Sequence, residues 1–454
     1  MESTLVHTME RKAFEVAIDA AIRHTKKDRQ KALLQFIDLA QKKLGDAWKP
    51  EAYEALRTVV RDENSKWMQY MNRLLDNTDP RLVKMAALNL GYEAGFRGFH
   101  IAKENAKKYG CSIPWILLFD PTSACNLHCT GCWAAEYGHT LNLSFEEMDS
   151  LCTQAEALGI HAFLLTGGEP LVRKRDVIRL CEKHSQSAFH CFTNGTLIDE
   201  EFCLEMLRVG NFVPSISLEG FEKENDARRG KGTFDKVMAA MELMKKHKLL
   251  FGTSICYTSQ NYKTVTSDEF LDMIIEKGVS YTWYFHYMPV GNDASTDLLL
   301  SPEQREYMYH RVREIRAFEG GKPIMAIDFQ NDGEFVNGCV AGGKYYCHIN
   351  PNGDVEPCVF VHYSSANIRE KTLIECLRQP LFAAYQKAQP FNDNMLMPCP
   401  MLENPEVLRR LVHQTGVKST DLQSPESCEH LCAKCDLYAQ EWKQTADRLW
   451  ENHF

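Results

Sequence analysis

The chain has 454 residues, enough for two or three domains, and its 44% hydrophobic and 25% charged content is ordinary for a globular protein. A net charge of −9 and a pI near 6.0 give no footing for a nucleic-acid partner. No apolar run reaches the roughly 18 residues of a membrane span. The first residues lack the charged-then-apolar pattern of a signal peptide, so the chain is read as cytoplasmic. Thiols stay reduced there, and 17 cysteines then point to metal rather than to disulfides. Residues 1–110 read as helical. Apolar residues recur at three- and four-residue steps: Phe14, Ile18, Ala21, Ile22, then Leu33, Phe36, Ile37, Ala40. Pro50 sits early in the next helix, Asp79-Pro80 reads as a cap and first-turn proline, and Gly110 as a helix stop. From residue 115 short apolar runs at 115–120, 162–166, 188–193, 213–219, 251–257 and 281–287 read as strands. Between them lie amphipathic stretches at 144–158, opened by a Ser144/Glu147 capping box, and at 200–209, 234–247 and 268–277. This alternation predicts an α/β fold, a parallel sheet with helices outside. A further helix is expected at 302–318, and from Cys339 the chain is expected to be irregular. The expected domains are a helical region at 1–110, a six-unit α/β segment at 111–320 and a cysteine-rich region at 321–454.

Ligands in parallel α/β folds gather at the carboxyl ends of strands. After the first strand come Cys125, Cys129 and Cys132, spaced C-x3-C-x2-C with no nearby fourth. Three cysteines leave one iron of a cubane without a protein ligand, and an open metal position is where a cofactor or substrate binds. After the second strand comes Thr166-Gly167-Gly168-Glu169-Pro170. Its glycines let a ligand approach the backbone, and the Glu169 carboxylate can accept from an ammonium group. Thr193 and Asn194 follow the third strand. Ser217 and Glu219 end the fourth, on one side of it, before Arg228 and Arg229. Met288 ends the sixth. Taken singly, these are also the marks of a zinc knuckle, of strand-ending turns and of a surface ion pair. Six scattered cysteines (Cys111, Cys152, Cys181, Cys191, Cys203, Cys256) read as small buried apolar residues.

The triplet followed by the GGEP segment resembles the radical SAM superfamily. That resemblance implies a partial (β/α)6 TIM-like barrel and a [4Fe–4S] cluster on Cys125, Cys129 and Cys132. The open iron is chelated by the amino and carboxylate groups of S-adenosylmethionine. It further implies that Gly167, Gly168, Glu169 and Pro170 hold the cofactor's amino group, with Thr193 and Asn194 beside it. Ser217 and Glu219 then meet the ribose hydroxyls, Arg228 or Arg229 the cofactor carboxylate, and the Met288 segment the adenine. Glu219 stands where relatives often carry Asp. Gly131 stands where many carry an aromatic, with Trp133 just after, which leaves adenine contact there mostly to backbone.

In the tail, Pro351-Asn-Gly353 reads as a hairpin turn that would bring Cys347 and Cys358 together across its base. With Cys339, Cys399, Cys428, Cys432 and Cys435 the tail resembles the SPASM or twitch auxiliary-cluster region, without the usual compact C-x2-C-x5-C-x3-C array. This implies one or two auxiliary [4Fe–4S] clusters. Cys339, Cys347, Cys358 and Cys399 would serve for one, and all seven cysteines for two; zinc or spare thiols are the other reading. The implied reaction is reductive cleavage of S-adenosylmethionine to a 5′-deoxyadenosyl radical that takes hydrogen from an unactivated C–H bond. The electron would come from a flavodoxin or ferredoxin, in anaerobic surroundings. A peptide or protein substrate is mildly favoured by the auxiliary cysteines. A lipid or other small molecule is the alternative, favoured by helices able to cover an apolar substrate. A non-catalytic iron–sulfur or zinc scaffold would have no use for GGEP or for the Ser217–Glu219 pair.

Overall fold

The computed structural model describes residues 4–25, 28–44 and 50–452, so the first three residues, weighed against a signal peptide, lie outside the described residues. Six α-helices precede the first strand: α1 (Thr4–Thr25), α2 (Arg29–Leu44), α3 (Pro50–Arg61), α4 (Lys66–Asn77), α5 (Pro80–Ala86) and α6 (Phe99–Tyr109). A π-helical run, Ala87–Gly98, joins the last two. The expected punctuation is present. Asp79 accepts from Arg81 N at 2.8 Å with Pro80 in the first turn, and Gly110 closes α6 at φ 67°. No helix among the described residues is long and apolar enough to cross a membrane.

The sheet has nine strands in the order β7-β6-β5-β4-β3-β2-β1-β8-β9. They are β1 (Ile116–Phe119), β2 (Ala162–Leu165), β3 (Ala188–Thr193), β4 (Phe212–Ser217), β5 (Gly252–Tyr257), β6 (Tyr281–His286), β7 (Met325–Asp328), β8 (Tyr346–Ile349) and β9 (Val355–Glu356). All neighbours pair parallel except β8 with β9, and the two edges do not meet, so the barrel is open. Outside it lie α7 (Phe145–Leu158), α8 (Lys174–Lys183), α9 (Glu200–Val209), α10 (Glu222–Arg229), α11 (Thr233–Lys246), α12 (Asp268–Glu276) and α13 (Pro302–Arg316). The six expected strands all form, and two parallel strands join them. β7, Met325-Ala-Ile-Asp328, offers no continuous run of large apolar residues. β8 is buried on both faces and holds a His and a Cys, so it shows no apolar alternation.

The expectation of an irregular tail is corrected. It carries β10 (Tyr363–Ser364), β11 (Lys418–Ser419) and four helices: α14 (Leu373–Leu377), α15 (Pro380–Ala388), α16 (Pro405–Thr415) and the 24-residue α17 (Cys428–Glu451). Ser427 caps α17, and Leu431, Cys432, Cys435, Tyr438, Trp442, Ala446 and Leu449 form its buried stripe. Cysteine counts as apolar in that stripe, which masks the helical period when it is read as a ligand.

Strand alternation divides the barrel's surfaces. Phe163, Leu165, Phe189, Cys191 and Ile255 face out and are fully buried with Met148, Leu180, Met206 and Met241 of the helices. Leu164, Phe192, Ser254, Trp283 and Phe285 face in and are only half-buried. In a filled barrel such inward side chains interdigitate; here they border open space.

The helical layer caps the amino ends of the strands. Arg73 donates to Val279 O and Pro323 O at 2.7 Å, Asn89 to Ser185 O and Ser187 O at 3.0 Å, and Trp115 Nε1 to Ala94 O at 3.1 Å. At the seam two backbones touch: a Cβ on Gly98 would lie 2.3 Å from Gly159 O, and one on Gly159 2.5 Å from Gly98 O. Gly98→Val is therefore expected to cost about 1–3 kcal/mol by overpacking. Hydrogen exchange should quicken across the helical layer first, and unchanged protection there would mean that the seam is not tight.

Candidate active site

The loop after β1 is held from three sides before any thiol is counted. Gly168 N donates to Thr122 O (3.0 Å) and Glu169 N to Ala124 O (2.8 Å), so the segment after β2 runs alongside the residues preceding Cys125. A Cβ on Gly168 would lie 2.3 Å from Ala124 O, and one on Gly167, at φ 108°, 2.7 Å from Thr122 O. Both positions therefore need glycine. Asn126 donates to Thr196 Oγ1 and accepts from Asn194 Nδ2, each at 2.8 Å, which ties in the loop after β3. Thr130 N donates to Arg228 O at 2.9 Å, which ties in α10.

Cys125, Cys129 and Cys132 line one cavity with Gly167, Gly168, Glu169, Thr193, Asn194, Ser217, Arg228, Arg229 and Met288. Pro170 lies off this wall, buried in the first turn of a 3-10 helix. Glu169 is 1% exposed and is already bonded within the protein. It accepts from Leu171 N (3.0 Å), Thr193 Oγ1 (2.6 Å) and Asn194 N (2.7 Å), so its carboxylate braces three segments. Burial raises its pKa, with the Thr193 bond opposing. Glu219 lies behind the wall, fully buried. It accepts from Arg228 Nη1 (2.7 Å), Arg229 Nε (2.9 Å) and Cys256 N (3.2 Å), so Ser217 alone of that pair borders the cavity. The two arginines are partners of Glu219 in a buried cluster; they do not form a surface pair.

Two residues were not singled out by sequence reading. The first is Tyr287. Gly131, at φ 66°, has no room for a side chain because a Cβ there would lie 2.6 Å from Tyr287 Cε2. The space beside Gly131 is filled by the Tyr287 ring, from the residue just after β6. The second is the bridging Asn126; its signal is an Asn directly after the first cysteine. Trp133 packs edge-on against Tyr137, His348, Phe360 and His362, toward the tail hairpin. Beneath it a buried polar chain joins barrel to tail. His348 Nε2 lies 3.0 Å from Asp120 Oδ1, His348 Nδ1 lies 2.7 Å from Glu356 Oε2, and Tyr137 OH donates to Glu356 at 2.8 Å. Burial works against the charged imidazole, yet the two carboxylates hold it up to about 10.

The donor set fits an iron–sulfur cluster. Three thiols face one space, and Arg229 Nη1 stands 3.8 Å from Cys129 Sγ. Burial pushes the Cys125 thiol up to about 11 and raises Cys132, so thiolates form there when a metal displaces the protons. Arg228 Nε and Tyr287 OH, on the same wall, are buried without a hydrogen-bond partner, as expected of a site that receives a polar ligand.

The tail cysteines fall into three groups. Cys339, Cys358 and Cys399 share the cavity wall, where Tyr346 OH donates to Cys358 Sγ at 2.8 Å. Cys428, Cys432 and Cys435 are buried on α17, with 3.8 Å between the first two sulfurs. Cys347 stands apart, and here the hairpin expectation is corrected. The hairpin forms, but His348 pairs with Glu356, so Cys358 lies on the face of Tyr346. Cys347, one residue on, points to the opposite face and is buried in the core with Leu117 and Cys376.

Comparison with known proteins agrees with this geometry. Residues 119–275 match the Radical SAM superfamily, and residues 339–401 match SPASM, an iron–sulfur cluster-binding domain. An AdoMet-dependent heme synthase of Methanosarcina barkeri is 24% identical over 76% of this chain and 96% of its own. A cysteine-type anaerobic sulfatase-maturating enzyme of Clostridium perfringens is 31% identical over 34% of this chain and 46% of its own. Among solved structures, Streptococcus suis SuiB bound to S-adenosylmethionine shares the fold, with TM-score 0.55, 19% identity, and coverage of 67% of this chain and 76% of that one. SuiB is also known bound to a precursor peptide, SuiA. The chain thus carries a radical SAM domain and, behind its barrel, a SPASM domain, as an iron–sulfur enzyme that uses S-adenosylmethionine.

Proposed function

We propose that this enzyme activates an unactivated C–H bond of a substrate lodged in the barrel cavity. When bound, the cluster and S-adenosylmethionine supply one-electron cleavage of a sulfonium, the chemistry by which the superfamily makes a hydrogen-abstracting species. The carrying observation is that the three thiols, the double-glycine segment, Ser217 and both arginines border one cavity.

Cys125, Cys129 and Cys132 are the cluster ligands. The Gly167–Gly168 backbone, Thr193, Asn194, Ser217, Met288 and one of Arg228 or Arg229 orient the cofactor. Glu169, on the wall, fixes the loops after β2 and β3, and Glu219, one layer back, fixes both guanidinium groups. Cys339, Cys358 and Cys399 ligate an auxiliary cluster, and Cys428, Cys432 and Cys435 supply its fourth ligand or hold a second cluster. The electron comes from a small redox protein such as flavodoxin or ferredoxin. Peptide modification is supported by relatives such as the sulfatase-maturating enzyme; the cavity wall favours a different substrate.

Anaerobically reconstituted protein with dithionite and S-adenosylmethionine is expected to release 5′-deoxyadenosine; a protein with full iron that releases none refutes the reading. Glu169→Ala is expected to weaken cofactor binding about ten- to a hundred-fold, from the loss of a brace worth roughly 1.5–3 kcal/mol, while the cluster's absorption persists. Unchanged affinity would reduce residues 166–170 to an ordinary turn.

A further inference from the structure

The cavity at the cysteine loop continues down the barrel. It reaches about 1820 Å³ and runs between the inward strand residues Leu118, Leu164, Phe192, Trp283 and Phe285 into the helical layer. Small-molecule sites usually hold roughly 300–1,000 Å³. There is room for S-adenosylmethionine and a second, long molecule.

The wall says what that molecule is. In the helical layer it is lined by Phe36, Tyr53, Leu56, Leu90 and Phe99. The charged groups on it are largely engaged. Glu169 and Arg229 are bonded as described, Arg228 is bonded through Nη1 with only its Nε unpartnered at the cofactor end, Arg316 pairs with Asp332 at 2.6 Å, and Lys344 donates to Val336 O and Asn337 O. Lys103 is exposed on α6. A peptide would bring an N–H and a C=O with every residue, and burying these against such a wall leaves them unpaired. An alkyl chain brings none. The helical end is also apolar on its outer surface: Phe36, Leu56, Leu90, Phe99 and Trp115, all lining residues, are 38–54% exposed. A cluster of that kind marks contact with an apolar partner. Gly91, in the π-helical run, borders this end of the cavity, and a Cβ on it would meet nothing within 4 Å.

We infer that the substrate is a long-chain acyl compound whose aliphatic chain enters through the helical layer, lies along the barrel and presents its methylenes to the cysteine loop. The inference rests on the proposed radical chemistry for its outcome, but not for its test. Full-length reconstituted protein is titrated with decanoic, dodecanoic, tetradecanoic and hexadecanoic acids against a fluorescent fatty acid. Affinity is expected to rise about fourfold per methylene, the equivalent of about 0.8 kcal/mol for each CH₂ buried. Gly91→Trp, which fills open space beside the channel, is expected to lose at least tenfold in hexadecanoic acid affinity, and Gly91→Ala to keep it. Both should release 5′-deoxyadenosine without substrate as the native protein does, because Gly91 is remote from the cofactor segments.

A parallel arm uses vesicles of dipalmitoyl phosphatidylglycerol. Sedimentation with them, lost in Gly91→Trp, makes a membrane lipid the source of the chain, and acid binding without sedimentation makes it a free acid; either supports the channel. A flat chain-length series overturns it, as does equal binding by Gly91→Trp. So does a peptide that stimulates 5′-deoxyadenosine release equally in native and Gly91→Trp protein. If substrate-free release is absent while the chain-length gradient holds, the radical reading falls and the channel stands.

Discussion

Replacing Cys125, Cys129 and Cys132 together by Ala is expected to abolish 5′-deoxyadenosine release while leaving the fold intact. The loop does not depend on its sulfurs. Its anchors are the pairing of residues 122–124 with Gly168 and Glu169, the Asn126 bridge and the Thr130–Arg228 bond. The sulfurs contribute little besides: Cys125 accepts one long bond from Leu127 N at 3.4 Å, and Cys129 meets Arg229 at 3.8 Å. The loss is therefore chemical, and circular dichroism should not change. Iron should remain on the tail, about four per chain if one auxiliary cluster is present and more if there are two. Product from the triple variant would refute the assignment, and loss of all iron would mean the tail cysteines hold no cluster.

Arg305→Ala is expected to be the most destabilising single change outside the site. Arg305 and Glu403 are both fully buried, 2.7 Å apart, with Arg305 also donating to Asn331 (3.0 Å), Tyr438 (3.0 Å) and Leu396 O (3.3 Å). Its guanidinium lies 4.2 Å from the centre of the buried Trp442 ring. Removing one member of a buried ion pair strands the other charge, at a cost of about 3–5 kcal/mol. The effect should reach the auxiliary site, because Glu403 accepts from Cys399 N at 2.6 Å and so fixes that cysteine's loop. Denaturant unfolding measures the first consequence and iron content after desalting the second. Arg305→Met keeps the packing and separates the two: it should recover part of the stability but not the position of Cys399. Full stability in Arg305→Ala would mean that water reaches the pair.

The cofactor end of the barrel was legible because glycine, cysteine and cap residues carry their constraints locally. The double glycine is a local signal even though the carbonyl that demands it, that of Ala124, comes from the neighbouring loop, and the Ser144 cap acts within one turn. What the sequence hid was decided across the fold. Glu169 and Glu219 look like ligands in isolation, and only the approach of Thr193, Asn194, Arg228 and Arg229 reveals how many bonds they make within the protein. Cys347 has the spacing of a ligand, but a register of one residue turned it to the other face. α17 was hidden by its own cysteines, β7 by the small Ala326 and charged Asp328 in its short run, and β8 by the His and Cys it buries.

The pairing of β8 with β1 has a consequence for how the enzyme is made. β1 carries the cysteine loop at its end, and its register partners Tyr346 to Ile349 lie some 230 residues later in the chain, as Ile116 opposes Tyr346. During synthesis β1 is therefore an open edge until the tail has left the ribosome, which sets a long-range closure as a late event in folding. Cluster insertion into a finished site must wait for that closure. A chain ending before residue 346 would hold every residue of the triplet and of GGEP, yet display a bare strand beside them.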